Sequence, residues 1–183
     1  MMSVHGPSPS TPIFTNLNIQ ATHPPVRTAT WDVVAWNHAA AAVLTDYGAL
    51  PPSQRNILRM IFCDAGVRAA QPEWQAVARF VVGTFRIDAA RAGADAEVAP
   101  LVDELCRSSP EFASLWRDND VQTHGDGVKH LRHPKLGLVA LEYSAFAVDG
   151  RPDLSLIVYN PASSADQKLI KSLIEERTAL AAA

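Results

Sequence analysis

At 183 residues the chain has the length of one domain and lacks room for two full-sized ones. Its 48% apolar and 19% charged residues mark a sequence that buries a core. Sixteen Lys and Arg against nineteen Asp and Glu leave a net charge of −3, with no basic excess to neutralise a run of phosphates, which argues against general nucleic-acid binding.

From Met1 to Val26 there is no Asp, Glu, Lys or Arg, and five of the thirteen prolines fall there, so residues 1–23 are expected to be a mobile tail. Within it Ile13, Thr15, Leu17 and Ile19 alternate with Phe14, Asn16, Asn18 and Gln20, which predicts a short strand over 13–19. A single strand is expected from Arg27 to Trp36, with Trp31, Val33 and Ala35 on one side. Asn37 has the side chain of an N-cap, and an Ala-rich helix should run from it to about Gly48.

The middle of the chain is helical. Pro51 and Pro52 open a helix carrying Ile57, Met60 and Ile61 at helical spacing, with Gly66 its expected stop. Pro72 opens the next, in which Trp74, Val77, Ala78, Val81, Val82 and Phe85 form a buried stripe. Phe80 and Ile87 put apolar surface on a second side, so this helix is expected to be covered twice. Val98, Leu101, Val102 and Leu105 repeat the pattern, and Ser109-Pro110 starts a shorter helix bearing Phe112, Leu115 and Trp116.

After Asp120 the period changes to two. Turn clusters at Gly125-Asp126-Gly127, Pro134 to Gly137 and Asp149 to Pro152 bound three strands, Val128 to His133, Leu138 to Val148 and Leu154 to Tyr159, which should pair as an antiparallel meander. Ser164 to Gln167 has capping-box spacing ahead of a closing helix over 163–183, with Leu169, Ile170, Leu173 and Ile174 on one side and Lys171 and Glu175 on the other.

Motifs for chemistry are sparse. Phosphate-cradling glycine loops and the G-x-S-x-G nucleophile elbow are missing, and no cofactor is expected. His124, His130 and His133 lie near Asp126, but the spacing is no zinc pattern and His130 and His133 fall on opposite faces of one strand, so no metal is expected either. Cys63 and Cys106 sit on apolar helical faces and read as buried, inert thiols. Two cysteines, no secretory leader and no uncharged apolar run of about eighteen residues favour a reducing cytoplasm over secretion or a membrane, Glu142 interrupting the longest candidate, Leu138 to Val148.

Two strands, a helical run, a meander and a closing helix is the element order of a PAS-like α+β fold. Local sequence goes further: Trp31-Asp32-Val33-Val34-Ala35-Trp36-Asn37, then Leu50-Pro51-Pro52-Ser53-Gln54-Arg55-Asn56 with Phe62, Pro72-Glu73-Trp74, Ser109-Pro110-Glu111-Phe112 with Leu115-Trp116, and His133-Pro134-Lys135-Leu136-Gly137. In these ordered motifs the chain resembles the MmyB-like transcription regulator ligand-binding domain, over roughly Pro24 to Pro161. The resemblance implies a PAS-like effector domain at 24–162 of a bacterial helix-turn-helix regulator, taking an apolar, fatty-acid-like ligand. The residues ahead of Asn37 are Pro-rich and without basic character before Arg27, so DNA would be reached through a helix-turn-helix module absent from this chain.

The ligand is expected in an apolar cavity between the sheet and the central helices, lined from Trp36, Phe62, Trp74, Val81, Phe85, Phe112, Trp116, Leu141 and Tyr143, with the Arg55 guanidinium as carboxylate partner. A close-packed core built from the same aromatics is the rival. His133, Pro134 and Gly137 are expected to shape a hairpin, and Asn37 to cap rather than bind. Two other classes remain open at this point: a small hydrolase using His133 and a carboxylate, and a homodimerising module using the C-terminal helix.

Overall fold

A computed structural model of the chain describes residues 25–118 and 127–181. The expected strand at 13–19, the tail that holds it, His124 and Asp126 lie outside the described residues.

The single strand expected from Arg27 to Trp36 is two, β1 (Val26–Thr28) and β2 (Val33–Ala35), paired antiparallel around a tight turn. Trp31 N–H donates to Thr28 O at 2.9 Å, and Trp31 itself adopts φ +62°. A left-handed tryptophan costs about 1–2 kcal/mol, offset here by burying its ring and by its indole N–H donating to Asp88 at 3.1 Å. That anchor lies 57 residues away, beyond the reach of local sequence.

Asn37 caps as expected, its Oδ1 accepting from Ala40 N–H at 2.8 Å, but α1 (His38–Val43) stops well before Gly48, and a 3-10 turn at Tyr47–Ala49 follows. The helix expected from Pro51 is divided into a 3-10 turn (Pro52–Gln54) and α2 (Ile57–Cys63). The divider is Asn56. Its Oδ1 accepts from Arg59 N–H while its Nδ2 donates to Thr30 O at 2.8 Å and to Asp32 Oδ1 at 2.9 Å, tying α2 to the β1–β2 turn. Gly66 does not end this segment, because Asp64 breaks it first and caps a further short helix, α3 (Ala65–Ala69).

The long helix α4 (Trp74–Ala92) ends at Gly93, whose φ of +61° suits a glycine C-cap. After it come α5 (Asp95–Ser108) and α6 (Pro110–Arg117), the latter capped by Ser109 as its sequence predicts. The meander β3 (Val128–His133), β4 (Gly137–Val148) and β5 (Arg151–Pro161) completes a five-stranded antiparallel sheet of order β2-β1-β5-β4-β3. The closing helix α7 (Ser164–Ala181) is capped one residue earlier than expected: Ser163 Oγ accepts from Asp166 N–H at 3.1 Å and donates to its carboxylate. The fold is α+β.

Strand parity sets an inner face carrying Arg27, Leu131, Val139, Leu141, Ser155 and Ile157, all buried. The outer face leaves Leu138 and Phe146 exposed. Apolar residues collect in two clusters. One unites the β1–β2 turn with α2, α4, α5 and α6 around Trp31, Leu58, Phe85, Leu105 and Phe112. The other joins α1, α7 and the sheet through Ala42, Val43, Leu141, Ile170 and Leu173. The apolar stripe of α7, which dimerisation would need, is thus largely spent within the domain, Leu169 staying exposed.

Candidate ligand-binding site

The expected cavity residues divide among three places. Phe62, Trp74, Val81, Phe85, Phe112 and Trp116 pack together in the helical cluster. Phe62 meets Phe112 edge-on at 5.0 Å between centroids, and Phe112 stacks on Trp116 at 5.8 Å. Five of the six are buried and Trp116 partly so; they form a packed core behind α4. Sequence periodicity identifies burial but does not separate a core wall from a cavity wall.

Trp36 and Arg55 lie on another flank. The guanidinium sits 5.0 Å from the Trp36 ring, and Arg55 Nε donates to Leu50 O at 3.0 Å. Beside Trp36 a cleft of about 410 Å³ opens between α1 and α7, edged by Asn37, Asp46, Ile174 and Arg177. Its polar groups already serve the fold: Asn37 caps α1, while Arg177 donates to Ala41 O at 2.7 Å and to Asp46 at 3.1 Å.

Leu141 and Tyr143 occupy the third place, the inner face of β4, where the sheet meets α4. Three groups of α4 reach the sheet across this seam: Phe80 packs edge-on against Tyr143 at 5.4 Å, Asp88 pairs with Arg27 at 2.6 Å, and Arg91 donates to Ser155 at 3.1 Å. From Phe80 to Arg91 the helix covers about 16 Å. Phe80 is therefore the second apolar side expected of α4, whereas Ile87 is exposed. Between the crossing points Ala145, on the same face as Leu141 and Tyr143, stays exposed although its partner Ile157 is buried.

Desolvated polar groups gather at the Tyr143 end. Tyr159 stands directly opposite Tyr143 in the β4–β5 register, with ring centroids 6.4 Å apart. Lys129, paired with Leu141 on β3, stretches over β4 until its ammonium lies 5.9 Å from the Tyr159 ring. Burial lowers the Lys129 ammonium to about 8. Burial likewise raises Tyr159, with Arg27 opposing, and raises Tyr143, assisted by Tyr159. Tyr47, buried beside α1, is also pushed up, first by desolvation and then by Tyr159. Lys129 and Tyr159 keep part of their accessible area. Among the described residues neither the ammonium nor the three phenol groups have a hydrogen-bond partner.

Sequence reasoning missed Lys129 and Tyr159. A signal existed, since the phase that buries Leu131 and Ile157 turns Lys129 and Tyr159 to the same face; only strand pairing brings them together.

His133 is engaged structurally. Its Nδ1 accepts from Lys135 N–H and Leu136 N–H, each at 3.2 Å, so Nε2 carries the proton and donates to Ala42 O at 3.1 Å. Both ring nitrogens thus build the hairpin and its seat on α1, and Gly137 supplies the positive φ of that turn. Among the described residues no three His, Cys, Asp or Glu side chains are grouped to hold a metal ion. Cys63, expected buried, is exposed at the end of α2, whose buried face is Leu58, Ile61 and Phe62. Cys106 is half-buried.

A helical layer laid across the inner face of a five-stranded antiparallel sheet defines an α+β domain in which Lys129, Tyr143 and Tyr159 stand near the seam between the two layers. The chain belongs to the MmyB-like transcription regulator ligand binding domain family, whose model matches residues 23–173. It is accordingly a ligand-binding regulatory domain. No curated protein matches the chain.

Proposed function

We propose that this domain is the sensing part of a bacterial transcription regulator and takes up an apolar, fatty-acid-like ligand between the inner face of the sheet and α4. The observation that carries the reading is that Ala145 and Ala147, on the inner face of β4 beyond Tyr143, are exposed beside a helix that touches the sheet at spaced points. Leu141 and Tyr143 line the site from the sheet, and Val81, Phe85 and their neighbours form the wall behind α4. Trp36 and Arg55 lie apart from it, beside the α1–α7 cleft. Each buried methylene is worth about 0.8 kcal/mol, so an acyl chain of about ten carbons supplies enough to overcome association entropy.

The domain acts by binding and not by turnover. Its setting is the cytoplasm, where a DNA-reading helix-turn-helix module converts occupancy into regulation; among the described residues no helix is long and apolar enough to cross a membrane. The test is native mass spectrometry of the purified protein, followed by thermal unfolding with long-chain fatty acids. A retained lipid, or a rise in Tm that grows with ligand concentration, is expected. A ligand-free protein whose Tm no fatty acid raises overturns the reading.

A further inference from the structure

We propose that the outer face of the sheet, turned away from the helices that cover the inner one, pairs two copies of this chain in a reversible two-fold dimer. This face lies opposite the proposed ligand site, and the pairing does not depend on it.

Strand register aligns one row of side chains across four strands of that face. Phe146 on β4 stands opposite Leu156 on β5, Leu156 opposite Val26 on β1, and Val26 opposite Ala35 on β2. Directly opposed residues share a face, so the four form a continuous apolar stripe, flanked along β5 by Leu154 and Val158. Phe146 is 47% exposed and the other five are half-buried. Among the described residues none of the six belongs to either apolar cluster, because α1, α4 and α7 meet the inner face. An apolar stripe without a cover marks an interaction surface.

A second copy is the occupant that the stripe itself describes. Its side chains diminish in order across the sheet, from Phe146 through Leu156 and Val26 to Ala35. In a two-fold interface, where one residue meets another, the second also meets the first. An axis parallel to the strands and between β5 and β1 satisfies this: Phe146 of one protomer covers the partner's Ala35, and Leu156 covers the partner's Val26. Each large side chain then meets a small one. Such an axis preserves strand direction, so the two sheets stack aligned, about 10 Å apart.

Charge agrees with this placement. His130 and Arg132 share the outer face but stand on β3, which falls outside the four-strand overlap and keeps them in water. Glu142 lies four residues along β4 from Phe146, about 13 Å away at the rim. At about 3.3 Å per residue and about 4.8 Å between strands, the overlapping face measures about 500 Å² per copy, so a pair buries about 1,000 Å² in total. That is the lower bound of specific interfaces and makes the pairing reversible, with a dissociation constant of about 10 μM or weaker.

Sedimentation velocity of the full chain from about 1 to 500 μM tests this, with circular dichroism confirming that each variant folds. Wild type should shift from one chain toward two as concentration rises. Phe146→Glu, which plants a charge in the stripe, should weaken pairing by about tenfold or more. Phe146→Ala leaves a gap over the partner's Ala35, and Ala35→Phe crowds the partner's Phe146, so each should weaken pairing several-fold. The two together exchange the large and small partners and should restore pairing to within about threefold of wild type. Should Phe146→Glu fail to fold, this exchange carries the test. A wild type that stays a monomer throughout overturns the proposal, whether residues 1–24 cover the stripe or nothing does. A dimer that survives Phe146→Glu and separates in Leu169→Glu, on the exposed part of α7, overturns it in favour of that helix. Weakening by both single variants without recovery in the double overturns the two-fold register.

Discussion

Arg27 on β1 and Asp88 on α4, 61 residues apart, form a buried ion pair of 2.6 Å that fastens the helical layer to the sheet. The same carboxylate accepts from the Trp31 indole at 3.1 Å and from Arg91 at 3.1 Å, and the Arg27 guanidinium lies 3.6 Å from the Trp31 ring. Replacing Asp88 with Ala strands a buried cation, and a loss of about 3–5 kcal/mol is expected. Urea unfolding checks it. The double variant Arg27→Met with Asp88→Leu should recover much of that loss, because it removes the charge together with its partner.

Asn56 is fully buried and holds three bonds at once. Asn56→Ala removes the α2 cap and strands Thr30 O, at a cost of about 2–4 kcal/mol in chemical unfolding. Asn56→Asp should not rescue it, since it sets a second carboxylate against Asp32 and offers Thr30 O no donor.

Val81 distinguishes core from cavity. It is 6% exposed and belongs to the helical cluster, so Val81→Trp overpacks that cluster and should cost about 1–3 kcal/mol. Thermal unfolding measures it, and a variant as stable as wild type would place free volume at this position.

The ligand-free domain should gain stability as pH rises from about 8. Lys129 titrates at about 8 when folded against an ordinary value of 10.5, so between these values the unfolded chain holds more protons and stability climbs. Tyr143 and Tyr159, which face Lys129 from the sheet, and the nearby Tyr47 are shifted upward and act in the opposite sense above about pH 10, where their unfolded phenols ionise first. Phe80, facing from α4, carries no charge, and Arg27 stays paired with Asp88 throughout. Tm measured from pH 7 to 10 should therefore slope upward in wild type and flatten in Lys129→Met.

Much of the fold is legible where the controlling groups are neighbours in sequence. Asn37 and Ser109 cap the helices they precede, and Gly137 serves the turn its cluster announces. Legibility fails where a distant partner decides. Trp31 breaks the expected strand because Asp88 and the helical core reward its burial, and Asn56 breaks the expected helix because Thr30 and Asp32 draw its amide away. The site suffers the same limit. Apolar periodicity identified the aromatic core of the helices, whereas the desolvated ammonium exists only because strand pairing seats Lys129 within reach of Tyr159.

The helical cluster and the α1–α7–sheet cluster share no residue, and α4 spans the gap unevenly. Toward its C-terminal end it is pinned by the charged and hydrogen-bonded contacts of Asp88 and Arg91; toward its N-terminal end it rests on the ring contact of Phe80 with Tyr143. The polar fastenings between the two layers are thus gathered in the C-terminal half of α4, and nearer its N-terminus the helix meets the sheet through an aromatic contact alone.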